Sequence, residues 1–361
     1  ILEFLVWAGS SEDGSCVLYD WRRGEVVRQL PTTASWYSTV VLSAETRAAQ
    51  VQRWEGHRRG VNAAAYGPST GCAYTAGRDL TIRQWSRREA ESIRSLEGHE
   101  LNIAALALSP DERLLCSGAR DTSVRLWDTD SGAQLAMNKT PRNLVTALRW
   151  VPGEGTSVLQ ASEDLRLRVW DVRSGGRQQP AGLKCSSTML GHSNIPLCCD
   201  ASGDGRSFLS CHKGFDGTGC ELRVWDRRQV SLSLSLSLSL SLSLSLSDGL
   251  LPSFPCSPAA GRDTAVLVGH QQAVQSCAFV GGLSGQYAVS GGSDKTLRLW
   301  DCSGSAGESA APPSACLATH FFPSAVQAVT PLSTPTTVVK EGFELSFDGD
   351  EPLRLAQGVF R

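Results

Sequence analysis

An excess of charge of one sign is the first thing this 361-residue sequence lacks. Lys and Arg number 34 against 36 Asp and Glu, a formal net charge of −2 at pH 7. Such a chain has no global basic field, which argues against nucleic acid or an acidic membrane as its partner. No apolar run approaches the ~18–20 residues of a membrane helix, so no helical span is expected. Methionine is scarce, at 2, and the first residue is Ile1, so the natural start is expected further upstream. Ile1–Gly9 has neither the basic lead-in nor the length of a signal peptide. Cysteine, at 12, is too sparse for a disulfide scaffold. Several cysteines, such as Cys72 and Cys116, lie in apolar, strand-like runs and read as small buried hydrophobes. That usage points to a reducing compartment, the cytoplasm.

Catalytic signatures are missing too. There is no G-x-S-x-G elbow, P-loop, H-E-x-x-H pair or G-x-G-x-x-G after a strand. No catalytic, cofactor-binding or metal residue is therefore assigned, and the protein is expected not to be an enzyme. The cluster Cys198, Cys199, Cys211, His212 and Cys220 invites a zinc reading. It lacks a C-x₂₋₄-C pair, and adjacent Cys198 and Cys199 on a strand point to opposite faces, so zinc is disfavoured.

What the sequence has is glycine (35), tryptophan (10) and an internal repeat. Thr75–Trp85, Ser117–Asp128 and Ser290–Asp301 align as [Ser/Thr]-[Gly/Ala]-Gly/Ala-x-Asp-x-[Thr/Ser]-[Ile/Val/Leu]-Arg-x-Trp. Weaker copies end at Trp170-Asp171 and Trp225-Asp226, and a first copy ends at Tyr19-Asp20. A Gly-His pair precedes the strong copies at Gly56-His57, Gly98-His99 and Gly269-His270, and one weaker copy at Gly191-His192. Trp85 to Trp127 is 42 residues, and Trp127 to Trp170 is 43. Within a unit, short alternating runs separated by turn residues predict four strands. Four-stranded units of this size cannot bury both faces alone, whereas radial stacking does so.

These motifs resemble the WD-repeat family. The resemblance implies an all-β β-propeller, nominally seven blades with incomplete first and last blades, and disordered insertions. It also implies a buried tetrad in each regular blade: His57, Thr75, Asp79 and Trp85; His99, Ser117, Asp121 and Trp127; His270, Ser290, Asp294 and Trp300. Buried imidazole, hydroxyl, carboxylate and indole groups are tolerable only when they satisfy one another. Two blades depart. Before Trp170, Thr140-Pro141 replaces Gly-His and Gln160 replaces the hydroxyl. Before Trp225, His192 and Ser210 remain, but a Gly214–Gly219 loop displaces the Asp. Both blades are expected to be locally weaker. The irregular segments 143–152, 159–164 and 214–229 narrow the resemblance to a branch linked to cilia, which implies ciliary transport components as partners.

The chain is read as one domain over 1–361, with insertions at 31–50, 231–263 and 303–341, the last an insertion or linker rich in Ala, Ser, Pro and Thr. The second opens with eight Ser-Leu pairs, Ser231–Leu246. Alternating leucine could make an edge strand. A CT dinucleotide repeat also translates as alternating Ser and Leu, and this reading as a translated non-coding insertion is preferred. Glu344–Leu353 looks like the start of a last blade, which leaves ring closure in question.

Proteins or peptides are the expected partners. The face carrying the inter-blade loops includes Gly60, Asn102, Leu144, Ile195 and Ala273, and just before each tetrad Asp come Arg78, Arg120, Glu163 and Ser293. Arg78 and Arg120 suggest a modest basic patch for acidic and apolar features. Trp170-Asp-Val-Arg173 and Trp225-Asp-Arg-Arg228 fit W-D-x-R, which resembles the signature of WD-repeat substrate receptors of cullin-type ubiquitin ligases. Arg173 and Arg228 therefore raise an alternative, a cullin adaptor as partner.

Overall fold

The computed structural model describes residues 56–67, 69–86, 92–153, 155–173, 183–227, 263–280, 285–302 and 316–331. It also describes the backbone of the strands Leu5–Gly9, Cys16–Asp20, Glu25–Leu30, Thr39–Val41, Gln50–Arg53, Ala260–Gly261 and Ala356–Phe360. Strands β1 (Leu5–Gly9), β2 (Cys16–Asp20) and β3 (Glu25–Leu30) are followed by β4 (Thr39–Val41) and β5 (Gln50–Arg53). One regular unit follows, β6 (Val61–Gly67), β7 (Cys72–Gly77), β8 (Ile82–Ser86) and β9 (Ser92–Leu96). The next is β10 (Ile103–Leu108), β11 (Leu114–Ala119), β12 (Ser123–Asp128) and β13 (Gln134–Lys139). Then come β14 (Val145–Trp150), β15 (Ser157–Ser162), β16 (Arg166–Asp171) and β17 (Lys184–Met189). They precede β18 (Pro196–Ala201), β19 (Ser207–His212), β20 (Glu221–Asp226), β21 (Ala260–Gly261) and β22 (Asp263–Val268). The chain continues through β23 (Val274–Val280), β24 (Tyr287–Gly292), β25 (Thr296–Asp301), β26 (Cys316–Phe321), β27 (Ala328–Pro331) and β28 (Ala356–Phe360).

The sheets are β6–β9, β10–β13, β14–β17 with β21 added on the edge, β18-β19-β20-β22 and β23–β26. Two more combine the ends of the chain, β27-β1-β2-β3 and the three-stranded β4-β28-β5. Neighbouring sheets meet through their first strands: β6 packs on β10, β10 on β14, β14 on β18, β18 on β23 and β23 on β27.

Two irregularities recur at fixed places. Each first strand slips register at its start, between Val61 and Ala63, Ile103 and Ala105, Val145 and Ala147, Pro196 and Cys198, and Val274 and Ser276. Each third strand slips at its aromatic, at Trp85, Trp127, Trp170, Trp225 and Trp300, and at Tyr19 in β2. A bulge adds local twist, and at Trp127, Trp170, Trp225 and Trp300 it recurs at a ring packed in one cluster with residues of the preceding sheet. Trp127 packs among Tyr74, Ala76 and Ile82 of the preceding sheet, and Trp300 among Leu209, Cys211 and Leu222. Fully burying an indole of ~150–250 Å² contributes roughly 4–6 kcal/mol of gross hydrophobic stabilisation.

The three segments expected as insertions contain strands. The segment 303–341 is not merely an insertion, because it supplies β26 and β27. β26 is the outer strand beside β25, and β27 pairs antiparallel with β1, Trp7 opposite Thr330. An outer strand buries only part of one face, so Cys316–Phe321 (CLATHF) is compositionally close to a linker. The segment 31–50 contains β4, which pairs with β28. The segment 231–263 ends in β21 and the first residue of β22. The Ser-Leu tract and Glu344–Leu353 lie outside the described residues.

Candidate functional site

The regular blades share one polar network. His57 Nε2 lies 2.7 Å from Thr75 Oγ1, Trp85 Nε1 donates to the same oxygen at 2.7 Å, and His57 Nδ1 meets Asp79 at 2.7 Å. His99, Ser117, Asp121 and Trp127 repeat it at 2.7, 2.8 and 2.9 Å. His270, Ser290, Asp294 and Trp300 do so at 2.7, 2.7 and 2.9 Å. The bonding is complete in one sense: indole N–H to hydroxyl oxygen, hydroxyl O–H to Nε2, and Nδ1–H to carboxylate. The carboxylate also accepts the backbone N–H after the His, at Arg58, Glu100 and Gln271. Burial lifts the Asp294 carboxyl, but bonds from His270 and Thr296 outweigh it and hold it at about 2. Burial also opposes the low values of Asp79 and Asp121, which the bonds from His57 and His99 impose. Burial lowers the His57 and His270 imidazoles.

The network fixes the loop after it. The residue following each Asp, namely Leu80, Thr122, Leu165 and Lys295, is left-handed at φ 64–68°. Gly98, at φ +151°, leaves room for Arg125, whose guanidinium nitrogen would lie 2.6 Å from a Cβ there. The third-strand arginines are used internally: Arg125 donates to Gln134, Arg83 to Ser92 and Arg223 to Glu221.

The two irregular blades differ. In the sheet of Trp170, Trp170 Nε1 donates to Gln160 Oε1 at 2.5 Å, and Gln160 Nε2 donates to Asn143 Oδ1. Arg168 bridges Asn143 and Asp164. An amide pair and an arginine thus replace the hydroxyl and imidazole. Asn143 went unrecognised in the sequence because its role depends on the strand pairing that sets it beside Gln160. In the sheet of Trp225, His192 Nε2 is 3.2 Å from Ser210 Oγ, which also accepts from Trp225. His192 Nδ1 has no hydrogen-bond partner, and neither nitrogen of buried His212 has one, its Nδ1 standing 3.9 Å from the Glu221 carboxylate. The His192 ring stacks on Trp225 at 4.8 Å. Burial drives the His192 pKa down to about 3.

The inter-blade face is built by one backbone bond used five times. The N–H of Arg78, Arg120, Glu163, Lys213 and Ser293 donates to the carbonyl of Gly60, Asn102, Leu144, Ile195 and Ala273 respectively. The face residues read from the sequence are therefore brought together pairwise. Arg120 is not free to make a simple basic patch with Arg78, because its guanidinium meets Glu163 of the next sheet at 2.5 Å. Arg173 points from the opposite end of its sheet, beyond Asp171, which pairs with Ser157. Its side chain is 74% exposed and 3.3 Å from Asp171. Arg228 lies outside the described residues.

A cavity of about 600 Å³ opens on the inter-blade face. Pro141, Arg142, Leu144, Glu163, Asp164, Leu165 and Arg166 are among its lining. Pro141 stands where the other blades bury an imidazole and is itself exposed. Arg142, Leu165 and Arg166 are exposed as well. Sequence reasoning found Leu144 but not these three; the loss of Gly-His was the available signal.

Residues 48–86, 90–128, 183–226 and 261–301 match the family described as WD domain, G-beta repeat. Those four segments, just under half of the chain, carry WD40 repeats. A relative, the ribosome biogenesis protein WDR12 homolog of Chlamydomonas reinhardtii, is 29% identical over 165 residues, 45% of this chain and 34% of that protein. The chain thus spans about a third of that relative's length. Among solved structures, those titled "Structure of U3-55K" and "Crystal structure of RRP9 WD40 repeats" each superpose with TM-score 0.54 at 18% identity. They cover 78% of this chain, and 67% and 66% of their own chains. At that identity they establish the propeller fold alone. WD40 propellers are generally non-enzymatic interaction scaffolds, and no catalytic constellation is found among the described residues.

Proposed function

We propose that this WD40 chain is a non-enzymatic scaffold that docks an acidic, partly apolar protein segment on its inter-blade face. The observation that carries the reading is the cavity where Gly-His is lost. It sets the exposed Arg142 and Arg166 beside Pro141, Leu144 and Leu165, while the two carboxylates of the lining are already engaged, Glu163 by Arg120 and Asp164 by Arg168. Guanidinium groups suit carboxylates, and apolar contacts between them supply burial. The expected setting is a reducing, cytoplasmic one.

A ciliary transport role is the finer reading. It rests on the resemblance of the irregular segments to WD repeat-containing protein 31. A ribosome-assembly role would follow the name of the relative from Chlamydomonas. A cullin adaptor is the alternative on the opposite side, favoured by the exposure of Arg173.

Affinity purification from ciliated cells tests these readings together. The intact chain should recover a discrete partner set that Arg142→Glu with Arg166→Glu removes, while Arg173→Ala leaves it unchanged. An unaltered set in the double variant overturns the docking site. Recovery of a cullin adaptor that Arg173→Ala abolishes moves the assignment to the alternative.

A further inference from the structure

Three thiols meet between two sheets and take no part in the tetrads or the docking face. Cys198 on β18 stands opposite Cys211 on β19, and Cys277 comes from β23 of the adjoining sheet. Their sulfur atoms all lie within 4.8 Å of one another, and all three cysteines are free. Cys211 and Cys277 are buried and Cys198 is half-buried. The surroundings are apolar, with Leu209, Leu222, Val274 and Trp300 in the same cluster. The group was not legible in the sequence, because Cys277 is 79 residues from Cys198 and belongs to a different repeat.

We infer that Cys198, Cys211 and Cys277 form a three-thiolate site for a soft monovalent cation of the Cu(I) class. Soft thiolate donors select such ions. With metal–sulfur bonds of about 2.3 Å, a trigonal centre needs sulfurs about 4.0 Å apart. The sulfurs must therefore close by less than about 1 Å, within reach of small side-chain rotations. Zinc prefers four ligands, and the group offers three sulfurs with no imidazole or carboxylate among them. Arg149 is the cation on this side of the sheet, already paired with a carboxylate. Its Nε is 2.8 Å from Asp200, which lies two residues beyond Cys198 and so on the same side of β18. Binding forms three Cu–S bonds as three S–H protons leave for solvent. No electron moves, because the ion enters already reduced.

The competing reading is that three cysteines merely fill an apolar seam. The test uses the full chain, reduced and oxygen-free, with Cu(I) supplied as its acetonitrile complex and bicinchoninate as competitor. One ion per chain should be retained, and Cys198 should become protected from alkylation. Cys198→Ala and Cys277→Ala should each weaken retention by more than about 100-fold, since outer-sphere partners alone are worth 10–100-fold. Cys185→Ala, at an exposed thiol elsewhere, should leave it unchanged. Melting curves establish that each variant is folded. If Cys277→Ala does not fold, the half-buried Cys198 variant and the alkylation pattern decide. The inference falls if no ion is retained, if either cluster variant retains it as the intact chain does, or if Zn²⁺ is held more tightly than Cu(I).

Discussion

Replacing Ser290 by Ala removes one oxygen from a fully buried position. That oxygen serves two groups, His270 Nε2 at 2.7 Å and Trp300 Nε1 at 2.7 Å. Both rings are essentially inaccessible, so water cannot replace the lost bonds. Each orphaned buried polar group costs about 1–3 kcal/mol, giving roughly 2–6 kcal/mol for Ser290→Ala. At about 2 °C per kcal/mol for a large domain, the melting temperature should fall by roughly 4–12 °C. Ser290→Thr is the control. Thr75 occupies the equivalent place and makes both bonds at 2.7 Å, so Thr should lose far less. Stability in repeat proteins is distributed by unit. Hydrogen exchange followed by mass spectrometry should therefore show the loosening first in β24 and β25. A melting temperature within 1 °C of the parent, or equal losses for Ala and Thr, would refute the argument that the tetrad is held by mutual satisfaction.

Other expectations follow from the same reasoning. Gln160→Ala strands Trp170 Nε1, while Asn143 Oδ1 keeps its bond from Arg168, so it should cost about 1–3 kcal/mol in chemical denaturation, whereas a neutral result would mean the amide relay is incidental. Glu112 of the β10–β11 turn accepts from the backbone of Ser69 and Thr70 and from the Thr70 hydroxyl. Glu112→Ala should cost about 1–3 kcal/mol and raise protease cleavage at residues 69–71 of the neighbouring sheet; unchanged cleavage there would contradict the clamp. His192 is held near pKa 3 against 6.5 when unfolded. Above pH 6.5 it is neutral in both states. Between 6.5 and 3 only the unfolded chain takes the proton, so stability falls by about 1.4 kcal/mol per pH unit as pH drops. Urea midpoints at pH 7.5 and 5.5 should differ less in His192→Phe than in the parent, and equal differences would remove His192 as the cause.

Much of the fold was readable because its signals are local. The Gly-His pair, the Asp and the Trp stand at fixed offsets, and period-two alternation marks the strands between them. Those offsets repeat because each unit solves the same packing problem. The loss of Gly-His at Thr140-Pro141 and of the Asp near His192 was equally visible. How each loss was handled was not. Asn143 and Arg168 complete one network, while His192 and His212 are left with nitrogens that make no hydrogen bond.

By itself, then, the sequence determined the repeat, the all-β class, the regular strand ends and the residue types that can satisfy one another inside each unit. These follow from patterns closed within about 42 residues. Tertiary structure decided everything that joins distant segments. It made Ala328–Pro331 the neighbour of Leu5–Gly9, locked Arg120 to Glu163, opened the cavity beside Arg142 and Arg166, and gathered Cys198, Cys211 and Cys277. The physical reason is that sequence periodicity records which face of a strand is buried, whereas contacts between sheets depend on how those faces are stacked.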